Sequence, residues 1–220
     1  MKKQFFSLTV LAFTSSILLF SGCTKDDTTS PVITLTGSNP LSLDMRTAYV
    51  EPGFSAADDQ DGNLTSSVLV DKSALEANVP GTYEINYSVS DAAGNIGNAT
   101  REVDVIAKNT ALAASYSVHD DCGAGVTFDY VQTVGSTGTN KITFNKFADY
   151  SGNTGIYATI DPDGTITLPS QTATGIGSAS ETHTFGGSGQ ITANGFTLTY
   201  TDQNVSQGAT ATCVGTWTRQ

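Results

Sequence analysis

The sequence predicts an all-β protein, a small β-sandwich followed by an antiparallel meander that closes into a small barrel or half-barrel. Three observations carry this. Short segments alternate apolar and polar residues at period two, the spacing of a strand with one buried face. Gly, Pro, Asn and Asp punctuate those segments, as turns require. Beyond residue 22 no stretch carries the periodicity of a long amphipathic helix. A composition rich in Thr, Ser, Gly, Val and Ala agrees, because Thr and Val favour half-buried pleated surfaces.

The chain opens with Met1-Lys2-Lys3 and an apolar run from Phe5 to Phe20. A membrane span needs roughly 20 apolar residues, so this shorter run reads as the core of a secretory signal occupying residues 1–22, not as an anchor. Ser21-Gly22-Cys23 resembles the lipobox of bacterial lipoproteins, with Phe20 where Leu is usual. That resemblance implies cleavage before Cys23 and acylation of it, palmitate included. Several acyl chains hold firmly, at about 0.8 kcal/mol per buried CH₂. Residues 23–30 then form a linker. Within it Lys25-Asp26-Asp27 resembles the export signal of Bacteroidetes surface lipoproteins, which implies an outer-membrane protein facing the cell exterior. Asp27-Thr28-Thr29 resembles an O-glycosylation acceptor of the same bacteria, and reads equally as solvated linker.

The formal charge is −11. Removing Lys2 and Lys3 with the signal leaves 8 bases against 21 acids, or −13. This sign excludes ordinary nucleic-acid binding, which needs Lys and Arg to displace counterions.

Residues 31–106 form the first unit. "PVITLTG" reads as a strand in which Val32 and Leu35 alternate with polar residues, and Pro52-Gly53 turns. "SSVLV" supplies a strand at Val68-Leu69-Val70. Tyr83, Ile85, Tyr87 and Val89 alternate with polar residues, Gly94-Asn95 turns, and Val103 and Val105 share a face. The segments "PVITLTG", "YVEPGFSAADDQDGNLTSSV", "PGTYEINYSVSDAAGN" and "REVDV" resemble a family of bacterial Ig-like domains first described in a pesticidal crystal toxin. The family implies a spacer or interaction module without chemistry. "DDQDGN" reads as a turn, because Asp-Gly-Asn tolerates left-handed dihedrals. It also offers oxygen ligands to calcium at the end of the sandwich, from Asp58, Asp59, Asp61 and Asp91. An EF-hand does not fit: Ala57 and Val68 would occupy its first and twelfth positions.

Residues 110–220 form the second unit, after a brief linker at Lys108-Asn109. About eight sequential strands are expected, with hairpins at Pro162-Asp163-Gly164 and Asn194-Gly195. "SVHDDCG", "NKFADYSGNTGIYATI" and "TATCVGTWTR" resemble a small lipocalin-like domain of Bacteroidetes lipoproteins, which implies a barrel or half-barrel. With Cys23 acylated, Cys122 and Cys213 remain, 91 positions apart. In an exported protein such a pair forms a disulfide, with free thiols or a metal pair as alternatives. In the resemblance it ties the first strand to the last.

Catalytic signals are weak. His119 and His183 lack metal-ligand spacing and read as exposed strand-end residues. "GGSGQ" reads as a Gly-rich turn, with no helix following to make a phosphate site. The aromatic residues read mostly as core. The expectation is a non-enzymatic surface lipoprotein, without a cofactor unless calcium, presenting its second unit to a glycan or protein ligand. A lipocalin-type carrier of a small apolar ligand is the alternative, and an accessory enzyme of glycan breakdown a third reading.

Overall fold

The computed structural model describes residues 26–150, 155–176 and 181–220. The signal segment, Cys23 and Lys25 lie outside the described residues.

The first unit contains β1 (Val32–Leu35), β2 (Leu41–Asp44), β3 (Phe54–Asp58), β4 (Gly62–Asn63), β5 (Leu69–Asp71), β6 (Gly81–Ser90) and β7 (Ile96–Ile106). They form two sheets, β1-β3-β4 and β2-β7-β6-β5. β2 runs parallel to β7 and the other pairs are antiparallel. The period-two pattern of β6 puts Ile85, Tyr87 and Val89 inside, as expected. On β1 the inner face belongs to Ile33 and Leu35. Val32 points outward at 67% exposure, because period two sets it opposite them. β5 is an edge strand, and Leu69 lies exposed. Gly97 is required by a close approach: a Cβ there would run into the carbonyl of Pro31.

β7 also carries Arg101 inward, in register with Val103 and Val105. Its side chain is fully buried. Nη1 donates to the Ser38 carbonyl (2.8 Å), and Nη2 to the carbonyls of Thr36 (2.9 Å) and Gly53 (3.1 Å) and to Glu51 Oε1 (3.2 Å). Tyr87 and Tyr49 donate to Glu51 Oε2 at 2.5 and 2.7 Å. One guanidinium thus holds two loops and a carboxylate against the sheet, and the buried charge is paired and hydrogen-bonded as burial demands.

A single helical turn, α1 (Asn109–Leu112), leads into β8 (Ala114–Asp121), β9 (Thr127–Thr137), β10 (Lys141–Phe144), β11 (Tyr157–Ile160), β12 (Thr165–Ile176), β13 (Glu181–Thr192), β14 (Gly195–Asn204) and β15 (Ala209–Arg219). Each strand pairs antiparallel with the next, and β15 returns to β8, closing an eight-stranded up-and-down barrel. Closure removes the exposed edges. Both expected hairpins form, at 161–164 and 193–194. Gly195 matters by proximity, since a Cβ there would strike the Trp217 carbonyl.

"GGSG" is the interior of β13 and not a turn. A Cβ on Gly187 or Gly189 would collide with the Thr199 or Thr197 carbonyl of β14, so these glycines let two strands approach where the barrel curls. Pro169 sits at a register shift between Leu168 and Gln171, the bulge where a strand tolerates a missing N–H.

Rings fill the barrel axis. Trp217 stacks on Phe196 at 5.0 Å, and Phe147 lies 5.3 Å from Phe185 and 4.9 Å from Tyr200. Phe147 comes from the segment after β10. Gln132, with its amide oriented by its partners, accepts from Trp217 Nε1 and donates to the Lys146 carbonyl, fixing that segment across the mouth. The other end of the barrel meets the first unit. Buried Leu112 and Tyr116 lie there, Ala107 N–H donates to the Pro162 carbonyl (2.9 Å), and Asn109 Nδ2 donates to the carbonyls of Gly138 and Lys141. The linker is therefore fixed by packing on both sides.

Candidate functional site

Two places gather chemistry-bearing side chains. The first is at the end of the sandwich. Asp58 ends β3, Asp61 lies in the turn to β4, and Asp91 follows β6. Asp27, from the segment ahead of β1, completes the group, and one carboxylate oxygen of each lies within 4.8 Å of the others. Asp59 is exposed and is not in it. Asp58 caps the turn, its Oδ1 accepting from the N–H groups of Gln60 (2.9 Å) and Asp61 (3.0 Å). Three of these four carboxylates, Asp58, Asp61 and Asp91, are among those the sequence offers to calcium. In the sequence Asp27 reads as part of the export signal and the O-glycosylation acceptor, and only the fold brings residue 27 beside residue 91. Asp26 stays exposed and outside the group.

The second place is the barrel mouth away from the first unit. Cys122, just past β8, and Cys213 on β15 are disulfide-bonded there and join the first strand of the barrel to the last. A cavity of about 380 Å³ opens beside them, lined by Phe128, Asp149, Tyr150, Tyr200 and Asp202 among others. Phe128 has the inward parity of β9 but sits past the filled interior, and it is 39% exposed. The segment 147–150 is a tight turn, closed by Tyr150 N–H to the Phe147 carbonyl, with Ala148 and Asp149 both at positive φ. Lys146 pairs with Asp149 at 2.5 Å.

His183 is not the exposed strand-end residue its isolation in the sequence implied. It has the inward parity of β13, shares that face with Phe185, and is buried. Nδ1 lies 2.6 Å from Asp202 Oδ1 and 3.2 Å from the Tyr150 hydroxyl, which itself donates to Asp202 Oδ2 (2.9 Å). Glu181 stands 3.4 Å from Nε2. His119 is exposed as expected, 2.8 Å from Asp129, whose hydrogen bond and charge raise its pKa. Deeper in the barrel, Asp120 is fully buried and accepts from the Tyr130 hydroxyl at 2.9 Å. Burial pushes its carboxyl above the ordinary range, and its Oδ1 has no partner. A Cβ on residue 215 would crowd both that oxygen and the Trp217 ring, so the niche requires Gly215.

Residues 33–105 match the family model described as bacterial surface protein, Ig-like domain. An uncharacterized 81.3 kDa protein of Acholeplasma phage L2 is 31% identical over 105 residues, covering 46% of this chain and 14% of that protein. Among solved structures, a lipoprotein of Bacteroides thetaiotaomicron is similar at 19% identity, with 86% of this chain and 100% of that one covered and a TM-score of 0.35. A Bacteroides ovatus protein of unknown function aligns at 10% identity over 87% of this chain and 95% of its own, also at 0.35. A carbohydrate-binding module with its INT domains from Clostridium perfringens aligns at 12% identity over 84% of this chain and 43% of that one, at 0.31.

Proposed function

We propose that the protein is a non-catalytic cell-surface lipoprotein whose Ig-like unit is a spacer and whose barrel carries the binding end. In this reading Cys23 provides the lipid anchor in the outer membrane, and Lys25, Asp26 and Asp27 route the protein to the cell exterior. The observation that carries it is the placement of the two barrel ends. One end is occupied by the junction with the Ig-like unit, and the cavity opens at the other. At that mouth Phe128 and Tyr150 offer ring surface, and Asp149 and Asp202 offer acceptors. Rings beside hydrogen-bonding groups suit a glycan or an amphipathic loop of a protein. The surface-protein description of the family matched over residues 33–105 supports the location. A carrier of apolar ligands needs a hollow interior, and here Trp217, Phe147 and Phe196 fill it.

The test is a glycan and host-protein array probed with soluble protein lacking Cys23. Binding that Phe128→Ala and Tyr150→Ala each abolish, with circular dichroism unchanged, is the expected result. Binding indifferent to both substitutions would remove the barrel mouth from the account. For location, protease shaving of intact cells removes the wild-type protein and spares one in which Lys25, Asp26 and Asp27 are Ala. Equal cleavage of the two would overturn the export assignment.

A further inference from the structure

The acidic group at the end of the sandwich holds four carboxylates within one small volume, and none of the ion pairs among the described residues involves any of them. Like charges this close repel strongly outside bulk water. Hydrogen bonds to backbone and amide donors orient several of the oxygens. Asp61 Oδ2 accepts from Ala92 N–H (2.7 Å). Asp91 is only 8% exposed and accepts from Asn95 N–H (2.7 Å) and Asn95 Nδ2 (2.8 Å). Asp27 Oδ1 accepts from Thr29 N–H (3.0 Å), and Asn95 Nδ2 also donates to the Asp27 carbonyl (3.2 Å). One oxygen is left over. Asp58 Oδ2 is buried from solvent and has no hydrogen-bond donor, although its twin Oδ1 accepts two backbone N–H groups. A buried, unpaired carboxylate oxygen is costly, and a cation would satisfy it together with its three neighbours.

We propose that Asp27, Asp58, Asp61 and Asp91 bind one calcium ion, and that the ion fastens the segment ahead of β1 to the Ig-like unit. Calcium fits better than magnesium. It takes six to eight oxygens in flexible geometry, which four carboxylates and water supply, whereas magnesium keeps most of its waters and uses one or two carboxylates. Three ligands belong to the Ig-like unit and one to the segment leading to Cys23, so the ion stiffens the base of the molecule. This holds whether or not the barrel binds a ligand.

The experiment is a calcium titration of the full chain, purified in detergent and freed of metal by chelator, read by calorimetry and by thermal unfolding. One saturable site is expected, with a Kd on the order of 10⁻⁴ M or tighter, weaker binding of magnesium, and a melting point that rises with calcium. Asp58→Asn and Asp61→Asn each weaken binding by about tenfold or more, and Asp59→Asn leaves it unchanged. Asp27→Asn also weakens it by about tenfold with the calcium-free melting point unchanged, and calcium slows proteolysis between residues 28 and 31 in the wild type alone. Absence of saturable binding at millimolar calcium overturns the site. Wild-type affinity in Asp27→Asn, or equal loss in Asp59→Asn, overturns the ligand assignment and the fastening with it.

Discussion

Arg101 Nη2 lies 3.2 Å from Glu51 Oε1 inside the sandwich, and the same guanidinium also serves three backbone carbonyls. Removing it leaves Glu51 without its cation, though still hydrogen-bonded to Tyr87, Tyr49 and the Gly53 N–H, and the carbonyls of Thr36, Ser38 and Gly53 without this donor. Arg101→Met should therefore destabilise the Ig-like unit by about 3–5 kcal/mol in urea unfolding, with part recovered by adding Glu51→Gln. A loss under about 1 kcal/mol would mean that water replaces the guanidinium.

The same carboxylate sets a pH dependence. Burial alone raises the Glu51 pKa, but hydrogen bonds from Tyr87, Tyr49 and the Gly53 N–H, with the Arg101 charge, bring it below its ordinary 4.5. A folded-state pKa below the unfolded one gives stability that is present above the unfolded value and lost as pH falls through the folded one. The urea midpoint should thus drop below about pH 4.5, and Glu51→Gln should flatten that limb. An identical acid limb in the variant would assign the slope to other carboxylates.

Glycines in β13 are separable by geometry. Gly187→Ala and Gly189→Ala drive a methyl into the backbone of β14 and should each cost about 1–3 kcal/mol. Gly186→Ala meets only Ser170 at ordinary contact distance, 3.5 Å, and should stay within about 0.5 kcal/mol. Equal effects would point to strand propensity in place of strand spacing.

Reducing the Cys122–Cys213 bond, or replacing both residues with Ser, opens a loop of 91 positions. Chain entropy puts the loss at about 4–5 kcal/mol, to be read as a lower melting point of the barrel while the Ig-like unit keeps its own. A melting point unmoved by reductant would show that the closed hydrogen-bonded seam between β15 and β8 suffices.

The strand pattern was readable because its information is local. Tyr83, Ile85, Tyr87 and Val89 declare a buried face by parity alone, and the same rule applied to residue 101 would have put an arginine inside, a position passed over because charge normally marks the surface. The sequence reading missed His183 for the same reason, since two histidines without metal spacing look like surface residues until β13 is placed in a barrel. "GGSG" misled because glycine signals a turn more often than close strands, and the two are told apart only by what the neighbouring strand does. Asp27 could not be found by any local rule. It joins Asp91 across 64 positions of chain, through a contact that exists only in the folded sandwich.

Closure of the barrel through β15 and β8 puts Tyr116 opposite Arg219, so the chain enters and leaves by the same end. Among the described residues, the opposite rim is formed by connections between neighbouring strands, such as residues 205–208, and none of these leads to the rest of the molecule. That rim can change in length and composition without disturbing the junction with the Ig-like unit. It is where insertions are tolerated best, and where a display library would be built.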